Sequence, residues 1–221
     1  MAAKKYYAVK KGKIAGVFET WADCKASVDG FPNAEYKGFA TLAEAREYLG
    51  VVMKDAPQAY ETTPGRLLAY VDGSYDDSLP KYAFGCVFLL EGGEIRLACG
   101  NGDNPQSLKH RNVTGEMLGA MYAVRTAMMN GYQAVEICYD YEGIEKWVTG
   151  SWRSKTELTQ KYAASMREWG KSIQIFYTKV AAHSNVEYNE LADRMAKRGL
   201  REASGVPKVM RLEELELYGE S

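Results

Sequence analysis

The rhythm of apolar and polar positions changes near residue 66. Before that point the runs are short. YYAVKKG from Tyr6 and IAGVFET from Ile14 are β-like and flank a Lys/Gly turn around Gly12, which predicts two strands. Thr20 opens a helical stretch, WADCKASV, that stops at Gly30, and AEYKGFA from Ala34 reads as a third strand. Thr41 with Glu44 three residues on forms a capping-box pattern ahead of LAEAREYL, which Gly50 ends. Residues 1–50 therefore predict a small β-β-α-β-α domain.

Residues 51–65 contain Pro57, Pro64, Gly65 and little periodicity, and predict a linker, with the preceding helix free to continue through Val51, Val52 and Met53. From Leu67 the runs lengthen. RLLAYVDGSY, KYAFGCVFLL and EIRLACGN read as three antiparallel strands, the first ending in Asp72-Gly73-Ser74. Apolar residues at 117, 118, 121, 124 and 128 have helical spacing. VEICYD is a fourth strand, a helix follows near 141–148 and another over 155–169, SIQIFYTKV is a fifth strand, and 186–199 is a last helix. Three antiparallel strands followed by alternating helices and strands predict an α/β domain over residues 66–200, a five-stranded mixed sheet with helices on both faces. Residues 201–221 read as a loosely attached tail in which LEELELY can form a short helix.

Composition changes this picture little. The 221 residues are 46% hydrophobic and 26% charged, as in an ordinary soluble protein. No run approaches the ~18 apolar residues of a membrane helix, and the N-terminal lysines lead into no apolar stretch of a secretory signal. Cys24, Cys86, Cys99 and Cys138 form no C-x-x-C pair, which argues against a zinc knuckle or disulfide framework and suits a reducing compartment. A cytoplasmic monomer without an obligate protein partner is the expectation. The net charge of −1 gives no sign of a polyanionic partner, but lysines 4, 5, 10, 11 and 13 concentrate positive potential at one end.

Four acids carry the candidate chemistry. Asp72 and Asp140 each follow an apolar strand, where open α/β sheets place ligands. Glu116 falls in the first turn of the helix beginning near 114, and Ala120, Ala123 and Ala127 on its face would let that helix approach the sheet closely. Asp193 lies on the last helix, one turn after Asn189. Singly, each has a plain alternative: a turn aspartate, a helix-end charge, a strand-end charge, a solvated face. Together they would repel unless cations neutralised them. An oxygen-only ligand set favours Mg²⁺, with Mn²⁺ as a substitute, and two such ions suit in-line phosphodiester displacement.

These residues resemble the type 1 ribonucleases H. The matching segments are Tyr70-Val71-Asp72-Gly73-Ser74, Asn112 four residues before Glu116, Tyr139-Asp140, and His183 ten residues before Asp193 in Asn189-Glu190-Leu191-Ala192-Asp193. The resemblance implies the ribonuclease H fold and an endonuclease that cuts the RNA strand of RNA–DNA hybrids, leaving 5′-phosphomonoesters. It implies that Asp72, Glu116, Asp140 and Asp193 hold two metal ions and that His183 assists proton transfer or product release. Ser74, Asn112 and Asn189 are implied substrate contacts. Three positions depart from the pattern. Glu142 stands where many relatives carry Gln, Arg111 where those with a DNA-phosphate pocket often have Thr, and residues 147–161 are too short for the family's basic handle. Trp152 and Arg153 either replace part of that handle or serve as core and surface residues.

Residues 6–49 resemble the hybrid-binding domain at the N-terminus of many members. The shared text is Tyr6-Tyr7-Ala8-Val9-Lys10-Lys11-Gly12, Gly16-Val17-Phe18, Trp21, Val28, Gly30-Phe31-Pro32, Ala34, Tyr36-Lys37 and Phe39. This implies that Trp21 and Tyr36 meet deoxyriboses and Lys37 a phosphate, with Tyr7 a further nucleic-acid contact, an arrangement suited to sequence-tolerant binding. The alternative puts Trp21 and Tyr36 in a small core, a role for which Val9, Phe18, Val28 and Phe31 compete. Gly38 replaces a second lysine of many relatives. A non-catalytic hybrid-binding protein and another nuclease on the same fold are the competing functions.

Overall fold

The computed structural model describes residues 6–18, 20–49, 63–180 and 187–212. Most of the expected linker, His183 and the tail beyond Leu212 lie outside these residues. The chain divides into two compact units, the larger being Tyr60–Val209.

The N-terminal unit follows the expected order: β1 (Tyr6–Lys11), β2 (Gly16–Phe18), α1 (Trp21–Val28), β3 (Glu35–Phe39) and α2 (Leu42–Leu49). β1 is central and pairs antiparallel with β2 on one side and β3 on the other. The caps read from sequence form. Thr20 accepts a hydrogen bond from the Asp23 amide, and Thr41 and Glu44 exchange reciprocal bonds of 3.2 Å. Ala8, Val9, Cys24 and Ala45 fill the core, with Ser27 buried and bonded to Ile14. Phe31 is exposed, so it takes no part in the core.

The larger unit contains β4 (Arg66–Asp76), β5 (Lys81–Leu89), β6 (Ile95–Gly102), α3 (Pro105–Leu108), α4 (Asn112–Met129), β7 (Ala134–Tyr139), α5 (Gly143–Thr149), α6 (Glu157–Trp169), β8 (Gln174–Lys179), α7 (Glu187–Glu202) and β9 (Lys208–Arg211). Its sheet has the order β8-β7-β4-β5-β6-β9. The five expected strands, β4 to β8, are present, and β9 adds a sixth from the segment read as tail. The β4–β5 and β5–β6 pairs are antiparallel, and β4–β7 and β7–β8 are parallel.

Helices cover both faces. Leu67, Ala69 and Val71 of β4 share a buried cluster with Met117, Ala120 and Val124 of α4 and Tyr162 of α6. On the other face α7 lies so close to β5 that a Cβ on Gly85 would come within 2.1 Å of the Ala192 carbonyl oxygen. The short helix α3, capped by Asn104, was not expected from the pattern; four residues are too few to show a period. All four cysteines are free and buried. No helix among the described residues is long and apolar enough to cross a membrane.

Candidate active site

Asp72 does not end its strand. β4 continues to Asp76, paired with β5 as far as Asp76↔Lys81, so Asp72-Gly73 is strand and not turn. Only the parallel partner stops early, since β7 matches β4 as far as Tyr70↔Cys138. Asp140 follows the last residue of β7, so both aspartates project where the parallel ladder ends. Glu116 is the fifth residue of α4, which begins at Asn112, earlier than the apolar spacing indicated.

Close packing brings Glu116 to the aspartates. A Cβ on Gly73 would fall 2.2 Å from the Asn112 carbonyl oxygen and 2.4 Å from the Glu116 nitrogen. A Cβ on Gly115 would fall 2.0 Å from the Ala83 carbonyl oxygen. The helix backbone therefore rests directly on strand backbone, and Ala120, Ala123 and Ala127, all fully buried, continue the contact. The alanines are legible in sequence, whereas Gly73, in an Asp-Gly pair at a strand end, fits a turn equally well. Its visible signal was Gly115 and Gly119, spaced one helical turn apart ahead of Ala123.

Asp72, Glu116 and Asp140 each present a carboxylate oxygen within 4.8 Å of the others. Glu116 is 2% exposed, and its Oε2 has no hydrogen-bond partner among the described residues. Burial raises the Glu116 carboxyl well above its ordinary range, and the Asp72 and Asp140 charges add to the effect. Burial also pushes Asp72 up to about 6, with Asp140 and Asp193 contributing, while hydrogen bonds from Glu116 and the Gly73 amide oppose the rise. Ionising all three acids would put like charges into a space that a cation would relieve.

Asp193 is placed differently. It stands outside the tight group, yet near enough for its charge to raise Asp72, and its Oδ2 accepts a 2.7 Å hydrogen bond from Lys197. Asn189 is buried and not displayed on a polar face, and its Oδ1 has no partner among the described residues. Ser74 lies on β4 beside Ala83, and Asn112 is exposed at the start of α4. His183 lies outside the described residues.

Glu142 does not join the acid group. Lys146 and Lys179 both donate hydrogen bonds to it, the latter at 2.5 Å, and together they hold its carboxyl down at about 2. Beside it Trp152 is partly exposed, edge-on to Tyr141 and Trp147 and under the Lys146 ammonium at 5.0 Å. Arg111 takes φ 51, rare outside glycine, with its guanidinium 3.5 Å from Asp77.

In the N-terminal unit, Trp21 lies between Tyr7 and Tyr36, with ring centroids 5.5 and 5.8 Å apart. Trp21 is 45% exposed and Tyr36 43%, so the three rings form a surface and not the small core. Lys37 is not on that face, because adjacent strand residues point to opposite sides. Its ammonium lies over the Phe39 ring.

The RNase H family model matches residues 64–201. The chain belongs to the ribonuclease H family. The family model of the ribonuclease H1 N-terminal domain matches residues 5–49 of this ribonuclease H. Ribonuclease H1 of Rattus norvegicus is 26% identical over 261 residues, covering 90% of both chains. Ribonuclease H of Saccharomyces cerevisiae is 44% identical over 45 residues, 20% of this chain and 13% of that protein. The crystal structure of RNase H1 from Halobacterium salinarum superposes with a TM-score of 0.53 at 24% identity, covering 62% of this chain and 99% of that one. That likeness supports the fold of the larger unit.

Proposed function

We propose that this ribonuclease H is an endonuclease that hydrolyses the RNA strand of RNA–DNA hybrids and leaves 5′-phosphomonoesters. Two Mg²⁺ ions, or Mn²⁺ in their place, would be held by Asp72, Glu116, Asp140 and Asp193. The convergence of three carboxylates around an unpartnered buried Glu116 oxygen carries this reading. The donors are all hard oxygens, which suits these ions and not zinc. When bound, the ions supply a water of lowered pKa and stabilise the leaving oxygen.

The protein's own part is to hold the acids rigidly. The Gly73–Gly115 contact sets Glu116 against Asp72, and the end of β7 sets Asp140. His183 assists proton transfer or product release. Ser74 contacts the RNA backbone, and Asn112 reads minor-groove edges of the hybrid with little sequence preference. Asn189, buried on α7 with its Oδ1 unpartnered among the described residues, is the further substrate contact of this reading.

Trp21 and Tyr36, with Tyr7 beside them, tether the enzyme by packing on sugars of the DNA strand, Lys37 meets a phosphate, and backbone groups near β2 or its turn meet RNA 2′-hydroxyls. Residues 1–50 act as the tether, 51–65 as a linker and 66–200 as the catalytic domain, whose sheet takes β9 from the 201–221 segment. The linker raises the catalytic domain's local concentration on bound hybrid.

Asp140→Asn tests the centre. The folded variant loses Mg²⁺-dependent cleavage of hybrid RNA and binds Mn²⁺ more weakly by calorimetry. Surviving cleavage removes the metal-site assignment. Equal cleavage of duplex RNA or duplex DNA by the wild type removes the hybrid specificity.

A further inference from the structure

The end of the larger sheet away from the acids holds a cavity. It encloses about 720 Å³ between the last turns of α4 and the neighbouring strands, and its lining falls wholly within the larger unit. Leu67, in its floor, lies five residues back along β4 from Asp72, about 17 Å at strand spacing. Phe88 and Arg96 pair across β5 and β6, so their side chains stand side by side on one face. That face is the α4 side: Ala98, two residues beyond Arg96, belongs to the core under α4, while Cys99 meets Gly199 of α7. Val209 of β9, beyond β6, forms the outer rim. The floor is recessed, with Leu67 and Phe88 almost fully buried, and the mouth opens beside Met129, which is 79% exposed.

The walls are mostly apolar and include three rings, Phe88, Tyr122 and Tyr132, the first two 6.2 Å apart. Charge is supplied by Glu94, Arg96 and Arg125, a net of one positive charge. Arg96 is matched by Glu94 at 2.6 Å. Arg125 forms no ion pair among the described residues. It also breaks the pattern of its helix, since it follows Val124 and stands one turn from both Met121 and Met129, where the apolar spacing calls for another hydrophobic residue. An arginine stem can cover apolar surface as methionine does, but its head adds a cation.

We propose that this cavity binds a small aromatic carboxylate, with the ring system between Phe88, Tyr122 and Tyr132 and the acid group on the Arg125 guanidinium. Small-molecule sites have this volume and this character, apolar walls with a few placed polar groups. Ring packing holds the body of the ligand, and a guanidinium–carboxylate pair orients it. The site is separate from the catalytic acids: Arg125 lies nine residues along α4 from Glu116, about 14 Å at helical rise.

The test is calorimetric titration of the full chain with naphthoate, with its neutral counterpart naphthylmethanol and with adenosine monophosphate. Naphthoate binds one to one, about tenfold more tightly than the alcohol, the difference expected of one charged hydrogen-bonding partner. Adenosine monophosphate binds more weakly than naphthoate, because its polar sugar suits apolar walls poorly. Arg125→Ala brings naphthoate down to the affinity of the alcohol and leaves hybrid cleavage and the melting temperature of the unliganded protein as they were. Thr126→Trp, which fills the cavity from α4, weakens both naphthyl ligands. Trp21→Ala/Tyr36→Ala, which removes exposed rings of the N-terminal unit, leaves the titration unchanged. The proposal is overturned if naphthoate does not bind, if Arg125→Ala binds it as tightly as wild type, or if binding is lost with Trp21 and Tyr36. Equal affinity for acid and alcohol, or tighter binding of the nucleotide, would overturn the class of ligand.

Discussion

Gly73 meets Gly115 with no side chain between them: a Cβ added to Gly115 would lie 2.8 Å from the Gly73 Cα. The pleat of β4 turns Asp72 toward the α7 face, since its partner Gly85 faces α7. Glu116 comes from the other side, and it reaches Asp72 because neither glycine fills the gap. Gly115→Ala forces the helix off the strand. It should cost ~1–3 kcal/mol, as overpacking does, and should weaken metal binding more than the stability loss explains. Thermal melts in EDTA beside a Mn²⁺ titration measure the two effects separately. Unaltered metal affinity would show that the contact sets packing alone.

Glu116→Gln tests the tension among the acids. In the metal-free protein, burial and two neighbouring carboxylates oppose the ionised form of Glu116. An amide of the same shape carries no charge and can donate to Asp72, so this variant should melt higher than wild type in EDTA near pH 8. The same change removes a ligand and should abolish Mg²⁺-dependent cleavage. Stability and activity thus move in opposite directions, as expected where a strained site serves function. A lower melting temperature in EDTA would refute the account of strain.

The pH dependence follows with a definite sign. Asp72 and Glu116 have folded-state pKa values raised above their ordinary values of 3.8 and 4.5. Groups of that kind contribute stability below the unfolded pKa and lose it as pH rises through the folded pKa. Metal-free protein should therefore lose melting temperature between about pH 4 and pH 6, the value reached by Asp72, and further as Glu116 ionises. Saturating Mg²⁺ should flatten the decline, since the cation stabilises the charged forms. Melting curves across pH with EDTA and with Mg²⁺ give the comparison.

Much of this architecture was legible because it rests on local period. The Thr41–Glu44 box, the β-like apolar runs of β1 and β5 and the helical spacing of α4 each announce their elements. Contacts between elements left a weaker trace. Asp72-Gly73 reads as a turn pair, yet β4 runs through it because Gly73 is the place where α4 touches the sheet. Lys37 follows Tyr36 and reads as part of one surface in the linear sequence; the pleat puts it on another. Asn189 shares a helical face with Asp193 but is buried, because α7 lies low across β5. β9 is four residues long, too short for a period to show, and its place beside β6 depends on where α7 ends.

Glu142 offers the last test. It occupies a position where an additional acid beside the metal site threatened to disturb the chemistry, but it binds Lys146 and Lys179 instead. Its charge is matched by those lysines, of which Lys146 lies over Trp152 and Lys179 is paired across the sheet with Tyr139, the residue before Asp140. Glu142→Gln keeps the shape, removes the charge and releases both ammonium groups. Exposed ion pairs contribute little to stability, so the melting temperature should barely move. Affinity for hybrid should rise at low salt, and the salt dependence should steepen by up to about two counterions. Product release should slow in step, lowering turnover on long hybrids while single-turnover cleavage keeps its rate. Steady-state and single-turnover assays on one substrate separate these effects. A loss of single-turnover rate would instead give the Glu142 carboxylate a direct part in the reaction.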